Sequence, residues 1–263
     1  MSGRFADLQP VSRGGTGSVF RAIDARSGET VALKILHGST ADDSDRLGRE
    51  ADALSAIAHP SVVRYVDHGR TADGELYLAM EWLEGETLAD RLRRGPLEVG
   101  EALALGGRLA DALAAAHARG VVHRDVKPMN VILAGGALDV PKLVDFGLAK
   151  LDRAKILTLP GVIMGTPAYM APEQARGEQD IDARADIFAL GCVLYECVSG
   201  HAPFRGEDPW AVLAKVLFEE PPPASEHRAA VPAALDTLLA EMLAKAAVDR
   251  PDAASLQLSL IHI

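Results

Sequence analysis

The densest chemistry in this chain of 263 residues falls in one short segment, His123-Arg124-Asp125-Val126-Lys127-Pro128-Met129-Asn130. A carboxylate is followed by a lysine two residues on and an amide five residues on, and the β-rich pairs Val121-Val122 and Val131-Ile132 bracket the set. Such a cluster can orient a hydroxyl, neutralise a phosphoryl oxygen and hold a metal at once. Fifteen residues after Asn130, Asp145-Phe146-Gly147 follows another β-type run, Lys142-Leu143-Val144, and adds a second metal-type carboxylate beside a flexible glycine. Either group alone would pass for a surface turn. In this order and spacing, coincidence is improbable.

Two weaker signals lie upstream. In Ser12-Arg13-Gly14-Gly15-Thr16-Gly17-Ser18-Val19 the glycines let backbone N–H groups approach an anion with no Cβ in the way. A Gly-rich hairpin turn explains so short a match equally well. Val31-Ala32-Leu33-Lys34 sets a lysine in a strand otherwise made for burial, and a half-buried ammonium needs an anionic partner. Glu50 is the candidate; it could instead form a surface pair with Arg46, worth only about 0.3–0.5 kcal/mol. The residues alone leave that choice open.

The elements that must position these groups fall into two halves. Phe5 to Leu8, Val19 to Ala25, Thr30 to Leu36, Val62 to Asp67 and Leu76 to Glu81 are β-rich runs separated by Gly, Asp and Ser turn signals. Between them Leu47, Ala51, Leu54 and Ala58 recur at helical spacing. After Gly85 helices take over. One carries Leu103, Ala110, Leu113 and His117 and ends at Gly120, and one follows Asp182 with Ile187, Leu190, Leu194 and Val198 and closes at Gly200. Another carries Leu235, Leu238, Leu239, Met242 and Leu243 after the Pro221-Pro222-Pro223 run. The change falls near Trp82 to Glu86 with no linker-like stretch, so two lobes should share a cleft.

Composition narrows the function classes. With 48% hydrophobic and 24% charged residues, disorder is excluded as the main state. Against about 150 residues per domain, the length suggests two modest domains or one bilobal unit. The net charge of -10 argues against nucleic acid or an anionic membrane surface as the default partner. Cys192 and Cys197, five apart in one expected helix, point to different sides, which fits reduced thiols and a cytoplasmic setting. Met1 to Pro10 lacks a signal-peptide core, and Ile187 to Val198 is shorter than the ~20 residues a bilayer needs and contains Glu196, so no membrane span is expected in this chain.

Taken together, the ordered motifs resemble the eukaryotic-like (Hanks-type) serine/threonine protein kinases, most closely their bacterial branch. The resemblance covers nearly the whole chain, through Gly165-Thr166-Pro167-Ala168-Tyr169-Met170-Ala171-Pro172-Glu173, Asp186, Gly191 and Arg250. It implies an α+β bilobal kinase-like fold, a small antiparallel β-sheet lobe with one main helix (about 1–81), a hinge (about 82–86) and a larger, mostly helical lobe (about 87–263). The activity implied is ATP-dependent transfer of the γ-phosphoryl group to serine and threonine hydroxyls of proteins, autophosphorylation included, which admits a dimer during that step.

Residue by residue, the resemblance places the ATP phosphates under Val11, Ser12, Arg13, Gly14, Gly15, Thr16, Gly17, Ser18 and Val19, with Lys34 on the α and β phosphates and Glu50 holding Lys34. Adenine meets the backbone of Glu81, Trp82 and Leu83, with Met80 at the rear of the pocket and Ala32 and Leu133 in the nucleotide-binding set. Asn130 and Asp145 hold Mg2+, Asp125 takes or orients the substrate hydroxyl proton, and Lys127 stabilises the transferred group. Leu54, His123 and Phe146 stack across the lobes, Asp186 anchors the catalytic-loop backbone, and Glu173 pairs with Arg250.

Arg124, beside Asp125, implies regulation by phosphate on the segment from Asp145 to Glu173. Thr158 is the expected autophosphorylation site, with an ordinary loop threonine as the alternative; Thr166 together with Lys127 fits the Ser/Thr pattern. The chain departs from the family at Ser12, where the pattern has its first glycine, and reduced nucleotide affinity is the expected cost. Pro141 is compatible with a strand start or edge. Ser255 to Ile263 ends in an apolar stretch, read either as the last helix of the large lobe or, with slight preference, as the cut end of a longer protein. Two rival functions remain. A pseudokinase binding module has no chemical need for all of Lys34, Glu50, Asp125, Asn130 and Asp145, and a small-molecule phosphotransferase has none for the complete Gly165 to Glu173 platform.

Overall fold

The structure, a computed structural model, describes residues 3–14, 17–37, 48, 51–146 and 167–263. Five antiparallel strands make the sheet of the small lobe: β1 (Phe5–Gly14), β2 (Gly17–Asp24), β3 (Thr30–Leu36), β4 (Tyr65–Arg70) and β5 (Leu76–Glu81), in the spatial order β1-β2-β3-β5-β4. The central strands are the apolar ones. Val31, Leu33 and Ile35 on β3 and Leu76 to Met80 on β5 are buried, as strands covered on both faces require. Residues 51–55 are helical (α1) and bury Leu54.

The expected bounds of β3 and β5 coincide with the observed ones. The other three differ: β2 begins at Gly17, not Val19, and ends at Asp24, not Ala25. β1 continues to Gly14 although its outer residues are exposed, because pairing with β2 and not burial holds it. β4 begins at Tyr65, not Val62; Val62 instead makes an isolated parallel bridge to Leu143 of the other lobe.

In the large lobe β6 (Gly85–Thr87) leads into α2 (Leu88–Leu92) and α3 (Val99–His117), followed by β7 (Val131–Ala134) and β8 (Pro141–Leu143). β6, β7 and β8 form a second sheet in that order, and Pro141 opens its edge strand, where a missing N–H costs least. Then come α4 (Pro172–Ala175), α5 (Arg184–Ser199), α6 (Pro209–Phe218), α7 (Ala233–Met242) and α8 (Ala253–His262). Thr87 caps α2 through a box with Asp90, and Gly200 closes α5 with a φ of +80°, as Gly120 follows α3 at +71°. α5 is buried on nearly every side, with α3 and α7 packed on it, and both free cysteines sit inside it. Ser255 to Ile263 lies largely in α8, which packs on α3 through Leu256 and Leu260 and leaves Leu258 and Ile261 exposed.

One hydrophobic cluster runs through both lobes, from Leu36, Leu54 and Leu76 to Leu133, Leu143 and Phe146 and on to α5. Among the described residues no helix is long and apolar enough to cross a membrane.

Candidate active site

The loop between α3 and β7 is held from below by a single carboxylate. Asp186, near the start of α5 and fully buried, accepts the backbone N–H of His123 at 2.8 Å and of Arg124 at 2.7 Å, and the Nε2 proton of His117 at 2.8 Å. Those bonds support a left-handed backbone at Arg124, φ +63°, an arrangement that costs a residue with a Cβ of the order of 1 kcal/mol or more. His123 braces the loop from within: its Nε2 donates to the Val144 carbonyl at 3.0 Å, and its Nδ1 accepts the Asp125 N–H at 3.2 Å. The imidazole also lies against the Phe146 ring, centroids 4.3 Å apart.

On this frame the chemical groups converge. Lys127 Nζ and Asn130 Nδ2 both donate to Oδ2 of Asp125, at 3.0 and 3.1 Å, and Asn130 Nδ2 also reaches the Asp125 carbonyl at 2.8 Å. Val144 N–H donates to the Asn130 carbonyl at 3.0 Å, so the backbone leading to Asp145 is tied to the catalytic loop. Asp145, also left-handed at φ +58°, lies 2.8 Å from the nearly buried ammonium of Lys34. The sequence pointed to Glu50 as the partner of Lys34; among the described residues that partner is Asp145, and Glu50 lies outside them.

The other expected site residues fall as follows. Gly14 and Gly17 pair across the β1–β2 hairpin, with Val11, Ser12 and Arg13 on its exposed β1 side and Ser18 and Val19 opening β2. Gly15 and Thr16 lie outside the described residues. Ala32 and Met80 face each other on β3 and β5, and Leu133 is fully buried on β7. Glu81 takes 2.6 Å contact from Lys142 Nζ on β8, and Trp82 lies under the guanidinium of Arg21 at 5.8 Å, followed by Leu83 before β6. Thr158 and Thr166 lie outside the described residues.

A recess beside Asp125 and Lys127 is walled by Tyr169, Met170 and Gln174, and Gln174 Nε2 donates to the Arg124 carbonyl at 3.0 Å. Tyr169 donates its hydroxyl to Glu196 of α5 at 2.5 Å; burial pushes both the phenol and that carboxyl up. Sequence reasoning missed this bond, since the partners stand 27 residues apart with no shared pattern. The expected ion pair of Glu173 and Arg250 is present, with bonds of 2.7 and 2.8 Å. A cavity of about 320 Å³ lies elsewhere, between α3, the start of α5 and α8, lined by Ala114, His117, Arg184 and Ile187 among others. It touches none of Lys34, Asp125, Asn130 or Asp145.

A small antiparallel lobe, a helical lobe and a carboxylate loop where they meet define the two-lobed phosphotransferase architecture. The crystal structure of Rad53 1-466 in complex with AMP-PNP shares that fold with a TM-score of 0.80 at 24% identity, covering 97% of this chain and 64% of that one. Residues 5–259 match the family described as protein kinase domain, and the chain belongs to that family. It is similar to the serine/threonine-protein kinase pkn2 of Myxococcus xanthus, 39% identical over 274 residues that cover 97% of this chain and 31% of that protein. PkaA of Streptomyces coelicolor, also named a serine/threonine-protein kinase, is 41% identical over 266 residues, covering 94% of this chain and 48% of the relative. The chain thus spans about a third to a half of the length of these curated relatives.

Proposed function

We propose that the chain transfers the γ-phosphoryl group of ATP to serine and threonine hydroxyls of proteins. The observation that carries the reading is the convergence of Lys127 and Asn130 on one oxygen of Asp125 within 3.1 Å, on a loop tied to the strand that leads to Asp145. Two serine/threonine-protein kinases at about 40% identity support the same substrate class.

In this reading Asp125 accepts the proton of the substrate hydroxyl as that oxygen bonds to the γ-phosphorus and the bond to ADP breaks. Lys127 sits where its ammonium balances charge on the transferred group. Lys34, held at Asp145, brings a second ammonium to the nucleotide phosphates. Tyr169 and Met170, which adjoin Asp125 and Lys127, lie on the side from which the acceptor segment approaches. The net charge of -10 is no obstacle, because these cations act locally.

The amide oxygen of Asn130 and the carboxylate of Asp145 are hard oxygen donors, and no cluster of three or more His, Cys, Asp or Glu is found among the described residues. That set fits Mg2+, which takes few protein ligands and fills its shell with phosphate and water. Bound Mg2+ supplies neutralisation of phosphate charge. Asn130 and Asp145 are the residues that would hold it.

A radiolabelled ATP assay of the wild type against Asp125→Asn tests the assignment. Label on protein serine or threonine, reduced about 10²–10⁴-fold in the variant while ATP is still bound, is the expected result. Binding without transfer by the wild type, or transfer to small molecules alone, would overturn it.

A further inference from the structure

Outside the catalytic loop, three polar side chains of the small lobe form one chain of hydrogen bonds. Nε2 of His37 lies 2.9 Å from Oγ of Ser18, and its Nδ1 lies 3.0 Å from Oε1 of Glu75. A carboxylate only accepts, so Nδ1 donates to Glu75; in the neutral ring Nε2 then accepts the hydroxyl hydrogen of Ser18. The Glu75 end is anchored. Its N–H donates to Oγ1 of Thr71 at 3.1 Å, the Thr71 N–H donates back to the Glu75 carbonyl at 2.8 Å, and Thr71 is buried in the β4–β5 turn.

The Ser18 end adjoins the glycine-rich turn. Gly17 pairs with Gly14 on one side and with Leu36 of β3 on the other, and a Cβ there would stand 2.3 Å from the Ile35 carbonyl oxygen. Backbone therefore lies flush on β3 at the glycine, and the next side chain is fastened by the imidazole. β1, the other arm of the hairpin, is exposed along most of its length and shifts register twice. Of the two arms of the hairpin, β2 is thus the one fastened to the rest of the sheet.

We propose that His37, held by Glu75, is a positioning residue for nucleotide binding: through Ser18 it fixes Gly17 and the start of β2, the arm of the glycine-rich hairpin that serves the ATP phosphates. The inference rests on the ATP-dependent reading above. His37 neither touches the nucleotide nor moves a proton in the transfer, so its loss is read in the KM for ATP and not in kcat.

The test measures KM for ATP, kcat and thermal unfolding of the chain of 263 residues and its variants. His37→Ala raises KM about three- to ten-fold, the scale of one lost hydrogen bond, with kcat within about two-fold and Tm unchanged. Ser18→Ala gives the same rise, and the double variant adds nothing to it, as expected for two ends of one bond. His37→Gln, whose amide reaches the Nε2 position and can turn its oxygen to accept from Ser18, restores KM; His37→Asn, which reaches only the Nδ1 position, does not. Unchanged KM in the single variants, full additivity in the double variant, or a fall in Tm with KM constant overturns the proposal. A wild type that binds ATP without transferring it defeats the functional reading alone, and the same comparison is then made on Kd by titration calorimetry. A wild type that binds no ATP overturns both.

Discussion

Arg4 divides its guanidinium between two carboxylates. Nε and Nη2 reach Asp24 at 2.9 and 2.7 Å, and Nη1 pairs with Asp67. Asp24 is buried, and the guanidinium, aided by the Arg26 N–H at 3.0 Å, holds its carboxyl down at about 2 against an ordinary 3.8. A carboxyl depressed in the folded state adds stability that is complete above 3.8 and is lost as the pH falls through about 2. An acid titration of unfolding free energy should therefore show a decline in that window that flattens in Asp24→Asn; an identical decline in the variant would exclude the clamp as its source. Neither this clamp nor the Ser18–His37–Glu75 chain is legible in the sequence, because its members stand 19 to 63 residues apart and only pairing of strands brings them together. Asp125, Lys127 and Asn130 were legible because one loop of the chain holds all three. Lys34 is intermediate: its need for an anion could be read from the strand around it, whereas Asp145, its partner among the described residues, comes from the stretch after β8.

Arg250 ties together α4, the start of α5 and the turn that follows α7. Besides the two bonds to Glu173 of α4, Nε donates to the Ala244 carbonyl at 2.8 Å and Nη1 to the carbonyl of Arg184, the first residue of α5, at 3.0 Å. Its guanidinium also lies over the Phe188 ring at 5.0 Å. Removing one partner of such a buried pair costs about 3–5 kcal/mol. Arg250→Ala should accordingly lower Tm on the order of 10 °C, and unchanged thermal unfolding would reject the role. Elements whose residues carry their own signal were the legible ones. β3 and β5 are apolar runs with turn residues at both ends, and α5 has Asp182 before it and Gly200 after it. β1 beyond Leu8 carries no burial pattern, so its length depends on β2. Val62 and Val63 read as strand because they are apolar, yet they are apolar for docking on β8.

At the scale of the molecule, two lobes share one core. Leu36, Leu54, Leu76 and Leu78 of the small lobe belong to the same hydrophobic cluster as Leu133, Leu143 and Phe146. Heat should then unfold both in a single transition, with calorimetric and van't Hoff enthalpies in agreement. Two resolved transitions would show the lobes to be independent. The chain passes between the lobes along the stretch from Glu81 of β5 to Gly85 of β6, and hydrogen bonds join them at β8, where Val63 N–H donates to the Leu143 carbonyl at 3.0 Å and Leu143 N–H to the Ser61 carbonyl at 2.8 Å, and again where Arg119 Nη1 donates to the Ala56 carbonyl at 2.8 Å. A tilt of the small lobe about that seam should therefore displace the β1–β2 hairpin, at the sheet edge away from β5, further than Asp145, which stands two residues past Leu143.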